Sequence, residues 1–272
     1  MGAGPSQLHE KGNAVAVAAP SFSLTVLPYA EARAALLDAE HQDHYRERCH
    51  NDRLNSIARA GQSYVAAKQT DTERVRCQAH LSRLLPSQFH GLGPVEVAYL
   101  LPSADGGLPH TRPSKLLCFP MSSSPVSQET LNHELWHVHQ RTYRDQWRRF
   151  LKDAWHFVPY HETLPDKFNG MIRFNPDTLT EPLWIWQNTW VPVCLFTNPT
   201  TPTLKDTAVW FYNPHKKMYV TTIPPAMAEF FGTALPVVAY EHPYELAAYL
   251  LASGRPTPCR AYETAKDEFL RM

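Results

Sequence analysis

Apolar residues in the first third of the chain recur at helical spacing. Ala32, Leu36 and Leu37, followed by Glu40 and His44, predict a helix over residues 28–48. Val75, Ala79 and Leu84 predict another over 71–84, with Asp71 as its N-cap. The texture then changes. Residues 94–101 and 115–119 read as strands on either side of a polar, Gly-rich turn at 103–107. A helix is predicted from 126 to 141, and a further one carries Trp147, Phe150, Leu151 and Ala154. Beyond residue 160 the chain is aromatic and strand-rich, with extended segments at 183–190, 191–196, 208–212 and 218–222. Asn213-Pro214-His215 supplies a turn between the last two, and short helices at 243–252 and 260–270 follow. The mixture predicts an α+β fold. It reads as a single unit over 23–272, preceded by a Gly-, Ala- and Pro-rich tail at 1–22 that is expected to be disordered.

Composition narrows the classes. Hydrophobic residues make up 43% and charged residues 19%, which is globular. Lys+Arg and Asp+Glu are both 26, so no basic excess exists to hold a nucleic-acid backbone. No apolar run approaches the ~20 residues of a membrane span. The five cysteines (49, 77, 118, 194 and 259) are scattered and odd in number, with no CxxC pair. That argues against a thiolate zinc site or a disulfide framework, and for a reducing, cytoplasmic setting over secretion. Met1-Gly2-Ala3-Gly4-Pro5-Ser6 fits the bare N-myristoylation pattern, which is also readily met by chance.

Histidine is frequent, 14 of 272 residues, and its distribution points to chemistry. His133-Glu134-Leu135-Trp136-His137 is H-E-x-x-H in a stretch without internal Gly or Pro. On a helix, residues i and i+4 share a face. Two imidazoles placed so can bind one Zn²⁺, and Glu134 can reach the water that the metal activates. A catalytic zinc needs a third protein ligand. His139 lies ~200° round the helix from His137 and faces away.

The motif and the strands before it resemble the zincin metallopeptidases, in which the H-E-x-x-H helix underlies a sheet whose edge strand holds an extended substrate. The resemblance implies zinc ligation by His133 and His137, with Glu134 as general base in peptide-bond hydrolysis. Gln140 and Tyr143 stand where a metzincin has Gly and His, which excludes that family. A gluzincin-like site would take its third ligand from Glu245 on the 243–252 helix, where Ala248 allows close helix approach. Tyr249 stands where that family usually has Asp. The competing reading makes Glu245 the N3 residue of a helix that starts at Pro243 after an N-cap His242.

Asp177 is either an aspzincin-like alternative ligand, a partner that orients a ligand imidazole in place of the acid missing at 249, or an ordinary Asx-turn residue. His161 is a weaker ligand candidate. The resemblance makes the strand with Leu116 and Cys118 the edge beside the cleft, where a peptide or protein substrate adds through main-chain bonds. His242 or Tyr244 would then donate to the oxyanion. Trp184, Trp186, Trp190 and Trp210 read as core. The rival from another class is a zincin-like metal-binding interaction or structural domain without turnover.

Overall fold

The computed structural model describes residues 21–168, 170–254 and 257–270. The predicted tail falls almost wholly outside these residues, as does the myristoylation pattern. Phe22, assigned to that tail, is half-buried against Phe89.

Four strands form the main sheet: β1 (Ser23–Val26), β2 (Pro94–Leu100), β3 (His110–Arg112) and β4 (Leu116–Pro120). Their order is β1-β2-β4-β3, parallel except for β3, which runs antiparallel to β4. Alternation along the strands divides the core. Val95, Val97, Tyr99, Leu117 and Phe119 face the large aromatic core. Ala98, Leu100, Leu116 and Cys118 face a smaller cluster with Ala32 and Ala39 of α1 (Tyr29–Asp43).

This corrects the edge-strand assignment. β3 is the edge, Leu116 and Cys118 lie in an interior strand, and their side chains point to the face opposite the H-E-x-x-H helix. The three-residue β3 escapes pattern reading because all its residues are polar yet buried.

The helix expected over 28–48 breaks at His44, which adopts a left-handed conformation (φ 52°) and caps α1 through its N–H to the Glu40 carbonyl. α2 (Tyr45–Asn51) and α3 (Arg53–Ala58) follow. α4 (Asp71–Arg83) is capped by Thr70 and not by Asp71. The Thr70 hydroxyl accepts from Glu73 N while the Glu73 carboxylate accepts from Thr70 N, a reciprocal capping box. The side chain of Gln78 on α4 covers the outer edge of β1, accepting from Val26 N at 2.8 Å and donating to Leu24 O at 2.9 Å.

α5 (Gln128–Thr142) starts at its N-cap Ser127 and packs beside β3 and β4. It is followed by α6 (Arg144–Asp153). β5 (Phe157–Tyr160) pairs with β6 (Leu183–Trp186). β6 is shorter than expected because Gln187 and Asn188 turn with positive φ. β7 (Val191–Phe196), β8 (Thr207–Asn213) and β9 (Met218–Val220) form an antiparallel sheet. α7 (Pro225–Phe231), α8 (Pro243–Ala252) and α9 (Arg260–Phe269) complete an α+β architecture. Trp184 and Trp186 are buried in the core, as read from the sequence, while Trp190 and Trp210 are half-buried. No helix among the described residues is long and apolar enough to cross a membrane.

Candidate metal centre

α5 and α8 pack against one another, and their contact builds the site. Asn132 ties them by donating to the Ala252 carbonyl at 3.0 Å. One turn further along α5, His133 and His137 point to α8, and Glu245 meets them. His133 Nε2 lies 3.1 Å from His137 Nε2. Glu245 Oε2 is 3.3 Å from His133 Nε2, and Glu245 Oε1 is 3.4 Å from His137 Nε2. A tetrahedral ion with bonds of ~2.0–2.2 Å separates its ligand atoms by roughly 3.3–3.6 Å. Each imidazole nitrogen thus lies at about that spacing from its own Glu245 oxygen, and one donor atom from each of the three residues falls within 4.8 Å of the others.

Glu245 is free for this position because α8 is capped otherwise. His242 is the N-cap, and its Nδ1 accepts from Tyr244 N at 3.2 Å. Pro243 at the first helical position has no N–H to satisfy.

The protonation pattern also suits a cation. Gln140 Nε2 donates to the Tyr244 carbonyl at 2.9 Å, which turns Gln140 Oε1 towards His137 Nδ1 at 2.8 Å. An amide oxygen only accepts, so Nδ1 carries a hydrogen, which leaves Nε2 as the atom of His137 that could meet a metal. Burial opposes a charged His137, but Glu245 and Asp177 outweigh it and push the imidazole up to about 10. Burial likewise opposes ionisation of Glu245, yet His137 and His133 hold its carboxyl well below the usual range.

Beside this group lies Glu134, buried, with Oε2 lacking a hydrogen-bond partner among the described residues. Burial first, then Asp177, push its carboxyl well above the ordinary range, against the pull of His137. A buried acid so placed beside a possible metal-binding group marks a candidate functional site. A cleft of about 570 Å³ opens onto His133, Glu134, Glu245 and Tyr249. Two nitrogens and a carboxylate oxygen are a donor set that suits zinc.

Glu245 is backed by a network absent from the sequence reading. Asn175 Nδ2 donates to Glu245 Oε1 at 2.8 Å and to Glu241 Oε1 at 2.6 Å, and Arg173 Nη2 contacts both Glu241 oxygens at 2.6 Å.

Other assignments need correction. Asp177 lines the cleft but orients no imidazole; its Oδ1 accepts from Thr111 N at 2.7 Å and Thr111 Oγ1 at 2.6 Å. Gln140 takes the orienting role instead, from three residues along the same helix. His242 is committed to its cap, and its other nitrogen faces the Pro182 carbonyl at 3.4 Å. Tyr244 packs among Trp147, Trp184 and His242. Neither residue lines the cleft, so neither is placed to meet an oxyanion there. Tyr249 sets its ring edge-to-face on His133, with centroids 4.7 Å apart. His139 points away, as expected from the helical angle, and accepts from Trp147 Nε1 at 2.9 Å within an aromatic cluster. His161 is exposed, outside the group. Comparison of the chain with family models, with curated proteins and with solved structures returns no match.

Proposed function

We propose that this chain is a zincin-like, zinc-dependent peptidase of gluzincin-like type, acting on a peptide or protein substrate. The observation that carries the reading is the convergence of His133, His137 and Glu245 beside Glu134, whose buried Oε2 has no hydrogen-bond partner among the described residues. The first three would hold the metal. Zinc, when bound, supplies Lewis acidity and lowers the pKa of water. Glu134 accepts the proton of the attacking water and returns it to the departing amine. Its buried setting raises its basicity for that task. Gln140 fixes the His137 tautomer, and Asn175 holds Glu245 in place.

The rival reading is a metal-holding interaction or structural domain without turnover, which Tyr249 in place of the usual acid would suit. Against it stands Glu134, whose buried Oε2 has no hydrogen-bond partner among the described residues and which a purely structural metal site would not need. The test is Glu134→Gln in protein purified without a nickel column. Zinc content near one per chain should persist, while hydrolysis of a mixed peptide library falls by ~10²–10⁴-fold. Wild-type protein that carries zinc yet cleaves nothing would favour the rival. Turnover unchanged by the substitution would remove Glu134 from the chemistry.

A further inference from the structure

In an antiparallel pair, successive residues of the edge strand direct their N–H and C=O groups alternately towards the partner and away from it. On β3 the outward residue is Thr111, because its main chain is engaged on the side away from β4. Its N–H donates to Asp177 Oδ1 at 2.7 Å, and its carbonyl accepts from Arg141 Nη2 at 3.2 Å. The side chain is clasped too, since Thr111 Oγ1 donates to Asp177 and accepts from Arg141 Nη1. Arg141 Nη2 also contacts the carbonyls of Pro176 and Asp177, which fastens the 175–177 loop to the edge. The next positions outward on either side are Pro109 and Pro113, which have no N–H to give. Every outward donor that an added strand would need is thus missing or taken.

We propose that β3 does not accept a peptide as an added strand, and that the Asp177–Thr111–Arg141 clasp is the specificity-determining device that closes it. This rests on the peptidase reading for its consequence. A substrate then lies in the cleft as a short segment, engaged through side chains and chain ends, without a main-chain rail along the edge. The clasp also positions the metal site, because Asp177 N donates to Asn175 Oδ1 at 3.0 Å and Asn175 in turn donates to Glu245.

The experiment has two arms on the zinc-loaded full chain. The first reads amide hydrogen exchange at Thr111 by NMR and needs no activity. Thr111 should be protected in the wild type and remain so at saturating extended peptide. Protection should fall at least about tenfold in Asp177→Ala and be retained in Asp177→Asn, which keeps the acceptor oxygen. An unprotected Thr111 in the wild type overturns the proposal. The second arm measures kcat/KM on peptides of increasing length and on peptides N-methylated away from the scissile bond. A closed edge predicts a plateau once the residues flanking that bond are present, and changes under about twofold on N-methylation. A tenfold or greater rise with length, lost on N-methylation at alternate residues, overturns it (roughly 1.4 kcal/mol of main-chain bonding). Protection of Thr111 with no peptide cleaved at any length supports the closed edge and counts against the peptidase reading.

Discussion

Around Arg112 a fully buried guanidinium meets acceptors on each side. Asp43 takes Nε at 2.7 Å and Nη2 at 2.6 Å, Glu40 takes Nη2 at 2.9 Å, and the Tyr64 hydroxyl takes Nη1 at 2.9 Å. Around His137 the arrangement is reversed: two imidazole nitrogens and a carboxylate approach one another, beside a Glu134 oxygen with no hydrogen-bond partner among the described residues. Both regions bury charge beside the same sheet, yet one is closed on itself and the other gathers three possible metal donors beside an acid oxygen with no hydrogen-bond partner among the described residues. Burial and charge alone do not mark a functional site. What separates the two is the buried Glu134 oxygen, which has no partner among the described residues, because leaving such a group unsatisfied costs stability.

Several substitutions would break or sharpen that contrast. The largest effect is expected for His137→Ala, which should abolish stoichiometric zinc and any zinc-dependent hydrolysis, as read by elemental analysis. Full zinc in the His133→Ala, His137→Ala double variant would end the metal-centre assignment. Asp43→Ala should leave the zinc content unchanged but cost about 3–5 kcal/mol in urea unfolding, because Arg112 remains buried without its bidentate partner. A cost below about 1 kcal/mol would show that the Arg112 cluster is not closed in the sense described.

Acid should separate the aromatic flank of α5 from both clusters. Burial holds His139 down to about 4, against an ordinary value near 6.5. The unfolded chain therefore binds that proton first as pH falls. Its stabilising contribution is complete above about pH 6.5 and is lost progressively towards pH 4, by on the order of 3 kcal/mol. Metal-free wild type and His139→Phe should differ in the slope of stability against pH over this window; equal slopes would refute the buried neutral imidazole. The smallest effect is expected for Gln140→Leu, which should weaken zinc by about 10–100-fold in competition with a chelator. Unchanged affinity would mean that the His137 tautomer needs no support from that amide.

The parts legible in the sequence are those where local and tertiary forces agree. Helix α8 spans Pro243–Ala252 as predicted, since a proline start and a run of apolar residues leave little choice. The grouping of Glu245 with two histidines four residues apart is what the gluzincin resemblance implied, while the spacing alone left the helix-cap reading of Glu245 open beside it. What stayed hidden depends on partners far along the chain. β3 is made of buried polar residues whose burial is compensated by Asp177, Arg141, Asp43 and Tyr64. No local pattern announces such compensation. Gln140 carries a local signal, since it stands at i+3 from His137 on the same helix and its amide does what a carboxylate commonly does. His44 interrupts α1 within an unbroken helical pattern, because one left-handed residue changes direction without altering the spacing of apolar positions.

The two outer strands of the main sheet share a further property. Gln78 binds the outward groups of β1 at Val26 and Leu24, just as Asp177 and Arg141 bind those of β3 at Thr111. A sheet whose both margins are taken by side chains offers no template to another copy of the chain, so self-association by strand pairing is blocked at each end. Prolines at 109 and 113 reinforce the barrier on one side. At the concentrations where exposed sheet edges seed fibres, this sheet is insulated by three side chains drawn from two helices and one loop.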